Sequence, residues 1–176
     1  MPSGYALFRD SALNAQLKRV LNIWCGFLCG PYSRTYLNTA SPDGWFCAEA
    51  DRKIGLTQFL CNPQEPYWGF ASWNGFFTRQ FRPNARPVAN PANNKIIVGA
   101  CEASPYNVHH DVKLHNEFWI KSQPCSLQEI FTASQHDLAQ RFVGGSVYQA
   151  YLSAYNYHRW HAPVSGTISK ANIGDV

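Results

Sequence analysis

Apolar side chains recur at three- and four-residue steps near the start of the chain, and this spacing predicts a helix over residues 6–29. The apolar stripe consists of Leu13, Leu17, Val20, Leu21 and Trp24. Lys18 and Arg19 lie on other faces, and Gly30-Pro31 ends the pattern. We favour a helix that packs its stripe on its own domain, with a membrane-surface helix as the alternative.

Two shorter helices are predicted before residue 82, separated by turn-forming residues. Ser41–Gly44 is a turn signal, and a second helix follows over Trp45–Phe59. After a break at Asn62–Pro66, the segment Ser72–Phe81 predicts a third helix that ends before a proline. Pro83–Asn94, rich in proline and asparagine, then predicts an extended connector.

From residue 95 onward the hydrophobic pattern changes to short β-rich runs bounded by glycine, proline, serine or asparagine. These predicted strands are Lys95–Ala100, Val112–Ile120, Val147–Leu152 and Val164–Ile168. Ser126–His136 predicts a helix among them. Helices first and strands later indicate an α+β fold with a largely antiparallel sheet.

Composition narrows the class of protein. With 45% hydrophobic and 15% charged residues, the 176-residue chain has enough apolar side chains to form a core. The net charge of +4 is spread along the chain without a lysine- or arginine-rich run, so we expect no nucleic-acid partner.

The six cysteines form no Cys-x-x-Cys pair, and the N-terminus has no apolar stretch of secretory-signal length. The longest apolar stretch, Val20–Gly30, is about half of the ~20 residues that a membrane span needs. We therefore predict reduced cysteines and an intracellular, cytoplasmic protein, with peripheral membrane association as a variant of that prediction.

The segment Tyr157–Pro163 concentrates two imidazoles, a guanidinium and two aromatic rings in seven residues. Imidazole gives and takes protons near neutral pH, so His158 and His161 are candidates for acid–base catalysis. Pro163 favours an extended backbone before it, and alternation in a strand would separate the two rings. This pattern favours separate acid–base roles for the two histidines over one shared metal ion, while purely structural histidines remain the alternative.

A metal site is the other chemistry that these histidines suggest. On a helix, His158 and His161 would share one face, and His109, His110 and Asp111 would be further ligands. The chain contains neither zinc-finger cysteine pairs nor His-Glu-x-x-His, so we predict no metal site.

Two further features carry charged candidates. Glu102 directly follows an apolar run, where a carboxylate is well placed to orient an imidazole, although an ordinary solvated glutamate is the simpler interpretation. Arg79, Arg82 and Arg86 flank prolines beside aromatic residues. Their guanidinium groups suit a carboxylate or phosphate, and equally suit a structural tie between the connector and the sheet.

These segments together resemble the phosphatidylserine decarboxylase family. Trp73–Val88 resembles the family's Asn-x-Phe-Phe-x-Arg…Arg-Pro signature, and Asn156–Gly166 resembles its Tyr-His-Arg-x-His-x-Pro box. Pro66–Phe70 and Ala100–Val108 are similar to a fungal branch that includes L-tryptophan decarboxylase. By this resemblance, residues 1–66 form an N-terminal helical region and residues 67–176 form the N-terminal part of the catalytic domain.

The resemblance implies a proenzyme that cuts itself at Leu-Gly-Ser or a related motif and converts the serine into a pyruvoyl cofactor. His161 then matches the histidine that activates the serine, and His158 the histidine that serves decarboxylation. Glu102 falls where relatives usually have the aspartate of the self-cleavage triad, so we expect it to converge with His161. Arg79 and Arg86 are candidates for substrate binding.

No Leu-Gly-Ser occurs in these 176 residues, and Ser165 and Ser169 lie too close to the histidines to replace it. The resemblance therefore implies a chain truncated before self-cleavage, inactive alone, with C-terminal strands missing. Its expected partners are the C-terminal segment or pyruvoyl subunit, a phosphatidylserine or free amino-acid substrate such as tryptophan, and a membrane surface. The alternative function is a non-catalytic relative that acts as a binding or interaction protein.

Overall fold

The computed structural model describes residues 7–8, 10–115, 118–120, 123–131, 135–169 and 171. The described chain forms two compact units. The first contains the residues through Glu102 together with those from Ser153 onward, and the second contains the residues from Ala103 to Leu152. All the candidate catalytic residues belong to the first unit.

Helix α1, Ser11–Cys29, confirms the first predicted helix. The Asp10 carboxylate caps it by accepting a hydrogen bond from the backbone N–H of Leu13 at 2.8 Å. None of its residues is buried, and Leu21 is 65% exposed. The expectation that its stripe packs on its own domain is therefore wrong: neighbouring elements approach the helix without covering its apolar face. Within the described ranges, no helix has the length and apolarity needed to cross a bilayer.

Short helices and turns follow α1 in the first unit. Helix α2 spans Ala48–Ile54, helix α3 spans Trp73–Phe77, and 3₁₀ turns occupy Pro31–Arg34, Leu56–Gln58 and Pro66–Gly69. The single helix predicted over Trp45–Phe59 is interrupted at Gly55, whose φ of +67° belongs to the left-handed region. Helix α3 begins after Ser72, whose hydroxyl accepts a hydrogen bond from the N–H of Gly75 at 3.0 Å.

The core of the first unit is mostly aromatic and aliphatic, and it includes one residue of the histidine-bearing segment. Its buried members are Leu37, Phe46, Cys47, Ala50, Ile54, Leu56, Phe59, Phe70, Phe76 and Tyr157. Burying each large apolar side chain contributes about 1.5–3 kcal/mol. Because Tyr157 is distant in sequence from the other members, its burial ties the histidine segment to the first unit.

The second unit carries the four strands among the described residues, in two antiparallel pairs. Strand β1, Ser104–His110, pairs with β4, Ser146–Tyr151, and β2, Phe118–Ile120, pairs with β3, Gln123–Cys125. Helices α4, Leu127–Ile130, and α5, His136–Gln140, lie between β3 and β4. Helices and antiparallel strands confirm the α+β class, and β4 confirms the strand predicted over Val147–Leu152.

Other predicted elements are wrong or only partly formed. Lys95–Ala100 and Val164–Ile168 are not strands. Of the segment predicted over Val112–Ile120, residues 112–115 are not a strand, residues 118–120 are, and residues 116–117 lie outside the described residues. The N–H of Val98, in the segment Lys95–Ala100, donates to the carbonyl of Pro163, the residue before Val164, at 3.0 Å. Proline has no N–H to donate back, so a strand ladder does not continue there. The helix predicted over Ser126–His136 forms α4 and reaches only the first residue of α5, and residues 132–134 lie outside the described residues.

Candidate active site

The histidine-bearing segment, residues 157–161, has neither helical nor strand structure, as its proline-terminated sequence predicts. Side chains therefore hold it in place. Tyr157 is 7% exposed, and its ring centroid lies 4.1 Å from that of Phe81 and 6.1 Å from that of Phe59. The buried tyrosine thus anchors the segment immediately before the two imidazoles.

Arg79 fixes the backbone that leads into this segment. Its Nη2 donates to the carbonyl oxygens of Tyr155 at 2.6 Å and Asn156 at 2.9 Å, and its Nη1 donates to the Phe76 carbonyl at 3.4 Å. The guanidinium carbon lies 4.5 Å from the centroid of the Phe59 ring, a cation–π geometry. One side chain therefore joins helix α3 to the residues before the histidines.

The surroundings of Arg79 are unusually dry for a cation. The residue is 2% exposed, and its Nε has no hydrogen-bond partner among the described residues. Burial lowers the pKa of the Arg79 guanidinium to about 10, while the negative charge of Glu102 opposes this shift. Arg79 remains charged at neutral pH, and its predicted contact with substrate stays a prediction.

Glu102 meets the same backbone from another direction. Its Oε1 accepts a short hydrogen bond from Arg86 Nη1, and its Oε2 accepts one from the backbone N–H of Tyr157 at 2.9 Å. Its main-chain carbonyl accepts a hydrogen bond from Asn156 Nδ2 at 2.6 Å. Both carboxylate oxygens are therefore committed, and Glu102 is not the freely solvated glutamate of the simpler interpretation.

The electrostatic balance at Glu102 favours its ionised form. Burial alone would raise its pKa, but the hydrogen bonds from Arg86 and the Tyr157 N–H, with the charges of Arg86 and Arg79, outweigh burial. The pKa of the Glu102 carboxyl is therefore lower than its ordinary value.

His158 occupies a half-buried position defined by two contacts. Its ring stacks on Phe77, with centroids 3.9 Å apart and planes 27° from parallel. Its Nε2 lies 3.1 Å from the Ser153 carbonyl oxygen. A carbonyl only accepts, so Nε2 carries the proton and Nδ1 is the acceptor in the neutral ring.

His161 lies in different surroundings from His158. Its backbone N–H donates to the Ala100 carbonyl at 2.7 Å, and its ring lies 5.7 Å from that of Tyr157 in a stacked orientation. Its imidazole is exposed and makes no hydrogen bond to another described residue. Glu102 and His161 thus both contact Tyr157, but their side chains are not hydrogen-bonded to each other, and their catalytic roles stay predictions.

Arg86 links the connector to this network. Its Nε donates to Gln58 Oε1 at 2.9 Å, its guanidinium lies 4.9 Å from the Phe81 ring centroid, and it pairs with Glu102. These contacts are structural, but they join the connector to Gln58, Phe81 and Glu102, not to a sheet as the structural alternative expected. The substrate-binding role predicted for Arg86 stays a prediction.

The candidate metal ligands do not form a cluster in the described part of the chain. His109 and His110 lie on β1 in the second unit, where His110 Nδ1 lies 2.8 Å from the Ser146 hydroxyl. Among the described residues, no group of three His, Cys, Asp or Glu side chains has the arrangement to hold a metal ion.

An open groove of about 390 Å³ begins directly after His161. The connector lines one side and residues 162–166 line the other. Its apolar members include Val88, Ile96, Val98 and Val164, and its polar side chains are asparagines and one serine. No charged side chain is among its described lining residues.

Sequence reasoning missed the role of Asn156 and the use of a main-chain donor by Glu102. Asn156 stands immediately before the histidine segment and lies close to the Glu102 carbonyl only because the chain folds back over 54 positions. The signal available in the sequence was an asparagine immediately before the segment that contains both candidate histidines. Its partner is a backbone carbonyl, which side-chain patterns do not reveal.

The chain also matches two family models of phosphatidylserine decarboxylase, one over residues 73–173 and the other over residues 1–54. The longer match contains both the Arg79 segment and the histidine segment that the fold brings together. The chain belongs to the phosphatidylserine decarboxylase family.

Its relatives include fungal decarboxylases. The chain is 40% identical to decarboxylase iboD of Amanita muscaria over 97% of its own length, and 33% identical to an L-tryptophan decarboxylase of Psilocybe cyanescens over 96%. It is 31% identical to a phosphatidylserine decarboxylase proenzyme of Saccharophagus degradans over 76%. The chain spans 51%, 41% and 50% of these three relatives respectively, about half or less of each.

The lowered pKa of Glu102 gives its contribution to stability a defined pH dependence. A carboxyl whose pKa is lower in the folded chain stabilises the fold above its unfolded pKa, and this contribution disappears as the pH falls through the folded value. We expect Glu102→Gln to destabilise the chain at pH 7 and to flatten the loss of stability below about pH 4.5. Urea unfolding across pH 3–7 measures both effects.

The matched control for this substitution is Glu49→Gln on helix α2, which also removes one negative charge but whose partner is the exposed Lys53 at i,i+4. A free energy of unfolding that falls as steeply with decreasing pH in Glu102→Gln as in the unsubstituted chain would show that the fold does not lower the pKa of Glu102.

Proposed function

We propose that this chain supplies the histidine-bearing part of a pyruvoyl-dependent decarboxylase, a carboxy-lyase that acts on an amino-acid unit. The observation that carries the proposal is the anchoring of residues 155–157 by Arg79 and Glu102. Arg79 comes from the Trp73–Val88 segment, Glu102 from Ala100–Val108, and Asn156 and Tyr157 from Asn156–Gly166, the segments that carry the family resemblance. The anchored backbone presents one exposed imidazole and one half-buried imidazole.

His161 is the group that activates the serine hydroxyl for self-cleavage. Its imidazole has no hydrogen-bond partner among the described residues and is exposed, so a ring nitrogen is available to accept a hydroxyl proton. This open acid–base group fits the formation of a pyruvoyl group from a serine brought to it. When present, a pyruvoyl group supplies an electron-withdrawing carbonyl to the substrate as carbon dioxide leaves.

His158 serves the decarboxylation step by holding a proton in a defined position. The Ser153 carbonyl keeps the proton on Nε2, and stacking on Phe77 fixes the plane of the ring. A ring whose tautomer and orientation are fixed transfers protons with little reorganisation. Because Nε2–H is engaged by the Ser153 carbonyl, we assign the proton exchange to Nδ1, which takes up a proton and gives it to the substrate carbon after carbon dioxide departs.

The groove beside His161 supports a free amino acid with an uncharged side chain as the substrate, in preference to phosphatidylserine. Its described lining offers apolar surface and neutral amides but no lysine or arginine. A phosphate-bearing headgroup is normally held by such cations, whereas an aromatic side chain needs apolar walls with a few polar groups.

We expect activity to require a serine-bearing C-terminal segment. Incubated with tryptophan or phosphatidylserine, the 176-residue chain alone keeps its 19.9 kDa mass and releases no carbon dioxide above buffer. Co-expressed with the part of the Amanita relative that the chain does not match, it becomes part of a processed enzyme that releases carbon dioxide and the amine from tryptophan. Intact mass and a coupled carbon dioxide assay measure these results.

Substitutions separate the two histidine roles in that complemented enzyme. His161→Ala blocks self-cleavage, while His158→Ala permits cleavage and lowers carbon dioxide release by about 10²–10⁴-fold. His136→Ala, on α5 in the second unit, is the control imidazole. Normal processing in His161→Ala, or normal turnover in His158→Ala, would refute the assigned roles.

A binding role is the second candidate, and the exposed face of α1 is the observation that favours it. Val20, Leu21 and Ile23 are each more than 60% exposed, and Trp24 is 57% exposed. Lys18 and Arg19 are the charged residues of the helix, which has no acidic residue between Ser11 and Cys29. An apolar face beside basic residues suits an anionic lipid surface.

We expect the chain to co-sediment with vesicles that contain phosphatidylserine, and to do so less with phosphatidylcholine vesicles. Leu21→Glu places a charge in the exposed apolar face and abolishes this binding. Leu60→Glu is the matched control, because Leu60 is also half-exposed but lies outside α1. Equal binding by the two variants would exclude α1 as the lipid-contacting surface.

A further inference from the structure

Arg79 is the buried cation that the proposed chemistry does not use. It is 2% exposed, forms no salt bridge among the described residues, and directs both terminal nitrogens at main-chain carbonyls. A charge is costly to bury unless hydrogen bonds satisfy it. A core that needed only volume at this position would be served better by an apolar side chain, so the charge has another role.

Two consecutive main-chain carbonyls accept hydrogen bonds from the same guanidinium nitrogen. Tyr155 O and Asn156 O lie 2.6 Å and 2.9 Å from Arg79 Nη2, which fixes the orientation of two successive peptide groups. The next peptide N–H, that of Tyr157, donates to Glu102 Oε2. Arg79 therefore donates to the carbonyls of residues 155 and 156, and Glu102 accepts from the N–H of the next residue, so the two side chains hold neighbouring peptide groups of one segment.

This arrangement leads directly to His158. The backbone is fixed up to Tyr157, and the His158 ring is hydrogen-bonded back to the Ser153 carbonyl, two residues before the first carbonyl that Arg79 holds. The loop from 153 to 158 is thus closed by the His158 side chain at one end and braced in its middle by Arg79. A displacement of the Tyr155 and Asn156 carbonyls moves the acceptor and the ring together.

We propose that Arg79 is a positioning residue that sets the orientation of the His158 imidazole by clamping the carbonyls of Tyr155 and Asn156. Through Tyr157, whose ring stacks with that of His161, the same clamp orients the His161 imidazole. This inference rests on the proposed function for its catalytic meaning, but the positioning itself is a property of the unprocessed chain. Arg79 touches neither substrate nor reacting atoms in this role. Its planar guanidinium is essential, because Nη1 donates to the Phe76 carbonyl while Nη2 holds the two clamped carbonyls, and the single ammonium nitrogen of lysine does not reproduce this geometry.

The test compares Arg79→Lys with Arg82→Lys in the 176-residue chain. Arg82 is the matched control because it also donates to two main-chain carbonyls, Thr57 O at 3.1 Å and Cys61 O at 2.6 Å, outside the histidine segment. NMR signals and titration midpoints of all six imidazoles are recorded for each variant. Arg79→Lys shifts those of His158 and His161 several-fold more than Arg82→Lys does, and leaves those of the other four histidines in place.

A purely structural role would not move these signals selectively. A folded Arg79→Lys chain with unchanged His158 and His161 signals overturns the proposal, and so does an equal displacement by Arg82→Lys. Should Arg79→Lys not fold, the guanidinium of the unsubstituted chain is the second measurement, because Nη1 and Nη2 that donate to fixed carbonyls give separate, slowly exchanging NMR signals. Averaged Arg79 Nη signals, as a freely rotating guanidinium gives, then overturn the proposal.

Turnover in the complemented enzyme separates this inference from the proposed function. Arg79→Lys lowers kcat at least tenfold with little change in KM, while Arg82→Lys preserves kcat. Selective movement of the histidine signals without decarboxylation in any form, the unsubstituted one included, would refute the function and leave the positioning intact. Full kcat in Arg79→Lys despite moved signals would refute the catalytic importance of the clamp.

Discussion

The burial of one guanidinium constrains much of the first unit. Arg79 is placed among Phe59, Phe76 and main-chain carbonyls, where water does not solvate its charge. Each carbonyl that satisfies it must come from a segment held at the correct distance. The charge therefore ties helix α3 to the residues before Tyr157, and a segment without regular secondary structure acquires a defined course.

Glu102 provides the complementary half of this constraint. Its carboxylate accepts hydrogen bonds from the Tyr157 N–H and from Arg86. The anion Glu102 and the cation Arg79 therefore both bind the backbone of residues 155–157. A carboxylate with both oxygens engaged in this way orients the backbone that carries the imidazoles, whereas a triad carboxylate bonds to the imidazole itself.

Local sequence signals predicted those parts of the fold that depend on neighbouring residues. The apolar period of α1, the Gly30-Pro31 stop and the proline after the histidines all act within a few positions. Helix α1 forms and ends before Gly30, and the histidine segment has no regular secondary structure. Strand β1 was missed because its Pro, Asn and His residues are poor strand formers, and its pairing with β4 is a long-range interaction. The segment Lys95–Ala100 has the composition of a strand but lies opposite Pro163, which ends the ladder.

The candidate site divides in the same way. Residue types and their clustering made His158 and His161 candidates, and the family resemblance added Glu102. The main-chain groups of residues 155–157 that Arg79 and Glu102 hold are more than 50 positions away from them. Such partners leave no trace in the identity of the residues that supply them. The exposure of α1 was equally hidden, because an apolar stripe predicts burial without naming what covers it.

Amide hydrogen exchange in residues 153–162 measures the central claim most directly. The N–H of Tyr157 donates to Glu102 and that of His161 to Ala100, whereas those of Arg159 and Trp160 have no acceptor among the described residues. The account predicts slow exchange at Tyr157 and His161 and fast exchange at Arg159 and Trp160. Protection at Tyr157 is lost in Glu102→Ala, which removes the acceptor oxygen, and in Arg79→Lys. Uniformly fast exchange across the segment in the unsubstituted chain would contradict it.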